Sequence, residues 1–191
     1  MGIPRWLAGI VIVFTLAAFS CSNRGWNPFC PPSDPVEYAE IGLDSTSAEG
    51  TLNRLVWAYE QMDIECYISC LDSTFIFYFD SHDDGIQRLL RDCSIDNQFW
   101  WGYTEECMAT RALFNEVRAA NGSICLSMVG NVAWYPYYED STIVKLKRIY
   151  SLEIRPSPVS TPIEGEATFT LVQKPTGAWK ILRWKDKKLA L

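Results

Sequence analysis

Apolar positions recur along this chain with two different periods, and the change of period divides it. After Thr46-Ser47-Ala48-Glu49, residues Leu52, Leu55, Val56, Tyr59 and Met62 follow one another at spacings of three and four. That spacing puts them on one face of an amphipathic helix. Thr46 with Glu49 fits a capping box in which Thr46 is the N-cap. Asp63 can cap a second, shorter helix that turns Ile64, Tyr67, Ile68 and Leu71 inward. The period then drops to two. Ser73 to Phe79 is dense in aromatic and β-branched residues, with Phe75, Phe77 and Phe79 on one strand face and Ile76 and Tyr78 on the other.

From Asp80 to Trp101 the pattern weakens: Asp83-Asp84-Gly85 marks a turn and Ile86 to Leu90 suits a short helical piece. Thr104 is expected to cap a long helix through Val117. Its first-turn acids, Glu105 and Glu106, suit the helix dipole, and Ala109, Leu113, Phe114 and Val117 form its inward stripe. Asn121-Gly122 ends it. The remainder reads as strands: Ile124 to Val129, then Ala133 to Tyr138 with Pro136 inside it, then Thr142 to Arg155. In the last of these Val144, Leu146, Tyr150, Leu152 and Ile154 alternate with Lys145, Lys147, Ser151 and Glu153. After a loop at Pro156 to Pro162, Glu166 to Lys174 and Ala178 to Trp184 flank Pro175-Thr176-Gly177 as a hairpin. Helices first and antiparallel strands afterwards make the class α+β.

The local words strengthen that reading. Leu55-Val-Trp-Ala-Tyr-Glu-Gln-Met-Asp63, leading into Tyr67, Leu71, Phe75 and Phe77, resembles the opening of NTF2-like (SnoaL-like) domains. Phe169-Thr-Leu-Val-Gln, a Gly turn and Trp179-Lys-Ile-Leu-Arg-Trp184 resemble their closing hairpin. The resemblance implies a cone: a curved antiparallel sheet wrapped over about three helices, enclosing an apolar pocket. Some such proteins are ketosteroid isomerases, polyketide cyclases or dehydratases, and others bind proteins or small ligands. The matching residues are core and turn positions, so they carry the fold and not an activity.

Ahead of this domain, Arg5 precedes an uncharged run from Trp6 to Phe19, and Ser20-Cys21 follows. The run is shorter than the about 20 residues of a spanning helix but suits a signal-peptide core. It resembles a bacterial lipoprotein signal, with Phe19 as the departure from the usual small residues before the cysteine. The resemblance implies a cleaved signal over 1–20, a lipid (palmitate-type) anchor on Cys21 and a cell-envelope location outside the cytoplasm. Ser22 to Pro35 is rich in Pro, Ser, Asn and Gly, as a tether over 21–40 would be, leaving 41–191 for the domain.

Charge and cysteines narrow the partners. The chain has 191 residues and a net charge of -6. It carries no basic cluster beyond Lys185, Lys187 and Lys188, which argues against nucleic acid. The chain has 7 cysteines. With Cys21 set aside, Cys30, Cys66, Cys70, Cys93, Cys107 and Cys125 suit an exported chain holding buried thiols and one or two disulfides. Cys66 and Cys70, four apart on a helix, are too widely spaced for an unstrained bridge with each other. His82 is the single histidine, so zinc has too few ligands; no metal or other cofactor is expected.

For acid–base chemistry the nearest pair is Asp80 with His82, though a loop this polar reads first as solvated turn chemistry. The aromatic load is more telling. Tyr59, Tyr78, Trp100, Trp101, Trp134 and Trp184 are the expected pocket lining, since such side chains offer large apolar area with one polar handle. Trp100-Trp101 would close the pocket mouth or pack the start of the following helix. The expected role is capture of a small apolar ligand or a protein partner without catalysis. The alternatives are an isomerase, cyclase or dehydratase using an Asp or His base, and homodimerisation through the sheet.

Overall fold

The computed structural model describes residues 44–82, 99–130, 135–136, 142–155 and 162–188. The signal, the tether, the helical piece at 86–90, Trp134 and the loop at 156–161 lie outside these residues.

Helix α1 (Ala48–Gln61) begins at Ser47, whose side chain accepts from the Gly50 backbone N–H. The cap therefore sits one residue beyond Thr46. Gly50 is required there, because a Cβ would stand 2.2 Å from the Asp44 carbonyl oxygen. Leu52, Leu55 and Tyr59 are buried as the spacing predicts. Met62 ends the helix in the left-handed region at φ 53°, and Arg118 donates to its carbonyl at 2.9 Å. Asp63 then caps α2 (Ile64–Cys70), accepting from the N–H groups of Glu65 and Cys66.

The chain continues into β1 (Leu71–Tyr78), β2 (Trp100–Gly102), α3 (Tyr103–Ala119), β3 (Ser123–Val129), β4 (Tyr135–Pro136), β5 (Ile143–Arg155), β6 (Ile163–Gln173) and β7 (Trp179–Lys188). Helix α3 starts earlier than Thr104 predicts. It springs directly from β2, with Gly102 as N-cap, and the Glu105 carboxylate accepts from the Gly102 N–H at 3.1 Å. Asn121, left-handed at φ 51°, ends it as expected.

The strands form one sheet in the order β2-β1-β7-β6-β5-β3, with β4 also pairing β5. Every described pair is antiparallel except β1 with β7. Those two strands come from opposite ends of the domain, so no hairpin dictates their direction. The three described helices cover one side of this curved, unclosed sheet. Leu55 and Ala58 of α1, Tyr67 of α2 and Phe114 of α3 form the core with Leu146, Phe169, Leu171 and Ile181.

One inward position breaks the apolar alternation of β5. Arg148 is buried between Leu146 and Tyr150, and its guanidinium reaches Glu49 on the first turn of α1.

Candidate functional site

A row of aromatic side chains crosses four neighbouring strands. Phe169 on β6 stands opposite Trp184 on β7, Trp184 opposite Phe77 on β1, and Phe77 opposite Trp101 on β2. Their rings meet in the same order, with centroids 4.7, 5.4 and 5.8 Å apart. Phe79 closes the outer end, 5.0 Å from Phe77 and 4.6 Å from Trp101. Burial falls along the row. Phe169 is 0% exposed and Trp184 6%, whereas Phe77, Phe79 and Trp101 are only half-buried. The row therefore runs from sealed core toward solvent on the helix-facing side of the sheet. The indole N–H of Trp184 is buried and meets no hydrogen-bond acceptor among the described residues.

Glu106 of α3 supplies the polar component beside this wall. It is buried, and three donors converge on its carboxyl group. The Tyr67 hydroxyl and the Thr110 hydroxyl donate to Oε1, the latter at 3.1 Å, and Trp101 Nε1 donates to Oε2 at 2.7 Å. Burial pushes the carboxyl above its ordinary range, and the three donors only partly offset that. The Tyr59 ring meets those of Tyr67 and Phe114 edge to face, each at 5.4 Å. Burial and the Glu106 charge push both phenols, Tyr59 and Tyr67, well up, so each stays a neutral hydroxyl.

A second carboxyl, Asp186, lies two residues beyond Trp184 and so shares its face of β7. Tyr150 donates to its Oδ2 at 3.1 Å. Gly165, opposite Tyr150 on β6, makes room for that ring: a Cβ there would stand 2.5 Å from the Tyr150 hydroxyl oxygen.

Of the pocket residues read from sequence, Trp101 and Trp184 share the row, and Tyr59 joins through Tyr67. Tyr78 and Trp100 face the other way. They pair across β1 and β2 on the opposite side of the sheet, Trp100 being 45% exposed and Lys185 Nζ lying 5.4 Å over the Tyr78 ring. Period-two alternation separates them from Phe77 and Trp101. Trp134 lies outside the described residues. Asp80 accepts from the His82 backbone N–H at 2.9 Å, a turn contact, and the His82 side chain is 93% exposed. Among the described residues no apolar wall surrounds that imidazole.

Sequence reasoning missed Glu106, Thr110, Phe169 and Asp186 as parts of the site. A signal for the first two existed: Glu106, Thr110, Phe114 and Val117 step by four, four and three along one helix face. Among the described residues no group of three or more His, Cys, Asp or Glu side chains could hold a metal ion. Cys66, Cys70 and Cys107 are free thiols, whereas Cys125 is disulfide-bonded.

No family model matches this chain, and no curated protein matches it in sequence. Solved structures do. The β subunit of benzoate 1,2-dioxygenase from Burkholderia mallei superposes with a TM-score of 0.53 at 11% identity, over 80% of this chain and 91% of that one. A protein from Novosphingobium aromaticivorans described as a candidate aromatic-ring hydroxylase gives 0.52 at 13% identity, over 78% and 90% of the two chains. A candidate dehydratase of the NTF2-like family from Streptomyces avermitilis gives 0.52 at 10%, over 74% and 92%. At such identities the likeness carries architecture and not activity. The described residues have the NTF2-like α+β fold.

Proposed function

We propose that the cone captures a small apolar ligand on the Phe77–Trp101–Trp184 wall, in a domain tethered to an envelope membrane by lipid on Cys21. The observation that carries this reading is the graded aromatic row, sealed at Phe169 and open at Phe79 and Trp101. Apolar ring surface half-open to water gains from any ligand that covers it, at roughly 25 cal/mol per Å². Glu106 supports binding over chemistry. Three donors already occupy its oxygens, so it positions Trp101 and Tyr67 rather than transferring protons. The tether reading rests on the apolar run before Cys21, and a disulfide at Cys125 agrees with an oxidising compartment.

A fluorescent naphthylamine probe tests the capture. Phe77→Ala and Trp101→Ala should each weaken its binding about tenfold or more, as loss of a buried ring contact does. Unchanged binding in both variants rules out the wall as the ligand surface.

One observation favours a second reading, an isomerase, cyclase or dehydratase. Asp186 stands on the concave face beside Trp184 with Tyr150 as its partner, a better-placed base than Asp80 or His82. If so, Asp186→Asn removes turnover of the captured ligand and spares its binding. Loss of both together, or of neither, counts against that role.

A further inference from the structure

We infer that the outer face of the sheet docks on an anionic lipid surface, with Arg183, Lys185, Lys187, Lys145 and Lys147 meeting the phosphates and Trp100 entering the headgroup layer. This rests on the tether reading above, which puts a bilayer within reach, and adds which side of the domain meets it. Strand register, exposed apolar side chains and the length of the tether lead to it.

Register joins cations that are distant in sequence. The helices cover one side of the sheet, and the residues that alternate with the buried Leu146, Phe169 and Trp184 face the other. On that outer side the pairings line up neighbouring rows. One runs Ile76, Arg183, Thr170, Lys145, and the next Trp100, Tyr78, Lys185, Thr168, Lys147. A further row runs Lys187, Glu166, Ile149, Val129. Arg183, Lys147, Lys185 and Lys187 are exposed. Glu166 is the carboxylate among them, and Lys147 Nζ lies 2.6 Å from it. Asp80, just past the end of β1, and Glu164, two residues before Glu166, border the patch. A chain whose net charge is -6 thus turns a basic face outward.

The same face exposes apolar groups. Trp100 is 45% exposed beside Tyr78, and Lys185 Nζ lies 5.4 Å over the Tyr78 ring. Val129 and Ile149, paired across β3 and β5, are 53% and 45% exposed. Tryptophan and aliphatic side chains flanking cations suit the boundary between lipid headgroups and acyl chains. A second copy of this face suits it less, because an isologous pairing sets the cations against their own counterparts.

Tether length makes weak docking sufficient. The stretch from Cys21 to Asp44, about 23 residues, reaches at most about 80 Å. Confinement within that radius gives an effective concentration of at least roughly 1 mM. Each Lys or Arg brought to an anionic leaflet strengthens binding about fivefold, so the named cations less Glu166 supply roughly 600-fold. Insertion of Trp100 adds to that.

Amine footprinting of the full-length protein tests the docking. The protein is added to preformed vesicles of phosphatidylcholine, or of an equal mixture of phosphatidylcholine and phosphatidylglycerol. Flotation reads the anchor, and mass spectrometry after a membrane-impermeant acetylating ester reads the face. The protein should float with both lipids, and acetylation of Lys147, Lys185 and Lys187 should slow about threefold or more on the anionic vesicles. Lys174, at the hairpin after β6, should react alike on both, and high salt should restore the lost reactivity. Arg183→Gln with Lys187→Gln in one chain should remove the protection of Lys147 and Lys185 and leave flotation unchanged. Flotation on both lipids with equal acetylation overturns the docking and leaves the anchor standing, whether the lysines stay open or are covered by a second copy as protein density rises. Flotation on the anionic vesicles alone, with these lysines protected, upholds the docking and overturns the anchor. Flotation on neither overturns both.

Discussion

Trp101 Nε1 donates to Glu106 Oε2 across 2.7 Å, which ties the open end of the aromatic wall to a carboxyl inside the domain. The same carboxyl holds Tyr67 and Thr110, so one side chain of α3 orients groups from β2, α2 and its own next turn. Replacing Glu106 by Ala leaves three donors facing a void and should cost about 3 kcal/mol or more. Glu106→Gln keeps one acceptor oxygen but turns an amide N–H₂ toward donors, and should cost less. Urea denaturation of the two variants checks the order. Equal, negligible losses would show that the network does not organise the site.

The raised Glu106 carboxyl also sets a pH dependence. The folded chain holds that proton more tightly than the unfolded chain, so Glu106's share of stability falls as pH rises through the range above 4.5. Asp72 works in the opposite direction. Burial alone would push it up, but Lys174, the Thr74 N–H and the Thr74 hydroxyl hold it below 3.8, so its share is lost as pH falls beneath that value. Unfolding measured from pH 3 to 8 should show Glu106→Gln flattening the decline on the alkaline side and Lys174→Met flattening the loss on the acid side. A Glu106→Gln variant whose pH profile matches the parent contradicts the assignment.

Arg148 and Glu49 should respond unequally to substitution. Arg148 is buried and Glu49 is half in water, so Glu49→Gln leaves a buried guanidinium without its counter-charge. That change should cost about 1–3 kcal/mol, while Arg148→Met, which fills the space with apolar atoms, should stay within about 1 kcal/mol of the parent. Thermal or urea unfolding reads the difference, and the reverse order would refute it.

The free thiols should differ in reactivity. Cys70 is buried, and burial pushes its thiol up to about 12. Cys66 and Cys107 are half-exposed. A maleimide should label Cys66 and Cys107 in the folded protein and reach Cys70 only after unfolding. Equal labelling of Cys70 at native conditions would contradict its place in the core.

Much of this architecture is legible in the chain because its causes are local. The three-and-four spacing of Leu52, Leu55 and Tyr59, the Asp63 cap and the Gly177 hairpin each act within a few residues. What could not be read depends on partners distant in sequence. Glu106 looks like an ordinary first-turn acid, and only the approach of Tyr67 from α2 and Trp101 from β2 makes it a hub. Trp101 and Phe77 share a row because β2 pairs with β1 across a break of more than twenty residues, a register that no local pattern encodes. Tyr78 and Trp100 were read into the pocket from aromatic content, and that same register turns them outward. Arg148 occupies an apolar slot because Glu49 sits above it, which the alternation along β5 cannot reveal.

Native mass spectrometry of the protein exported to a bacterial periplasm tests ligand capture most directly. The account predicts extra mass that leaves on denaturation, corresponding to a small apolar molecule, and its loss in the Phe77→Ala, Trp101→Ala double variant. A parent protein that flies bare, and stays bare after incubation with naphthyl probes, would contradict it.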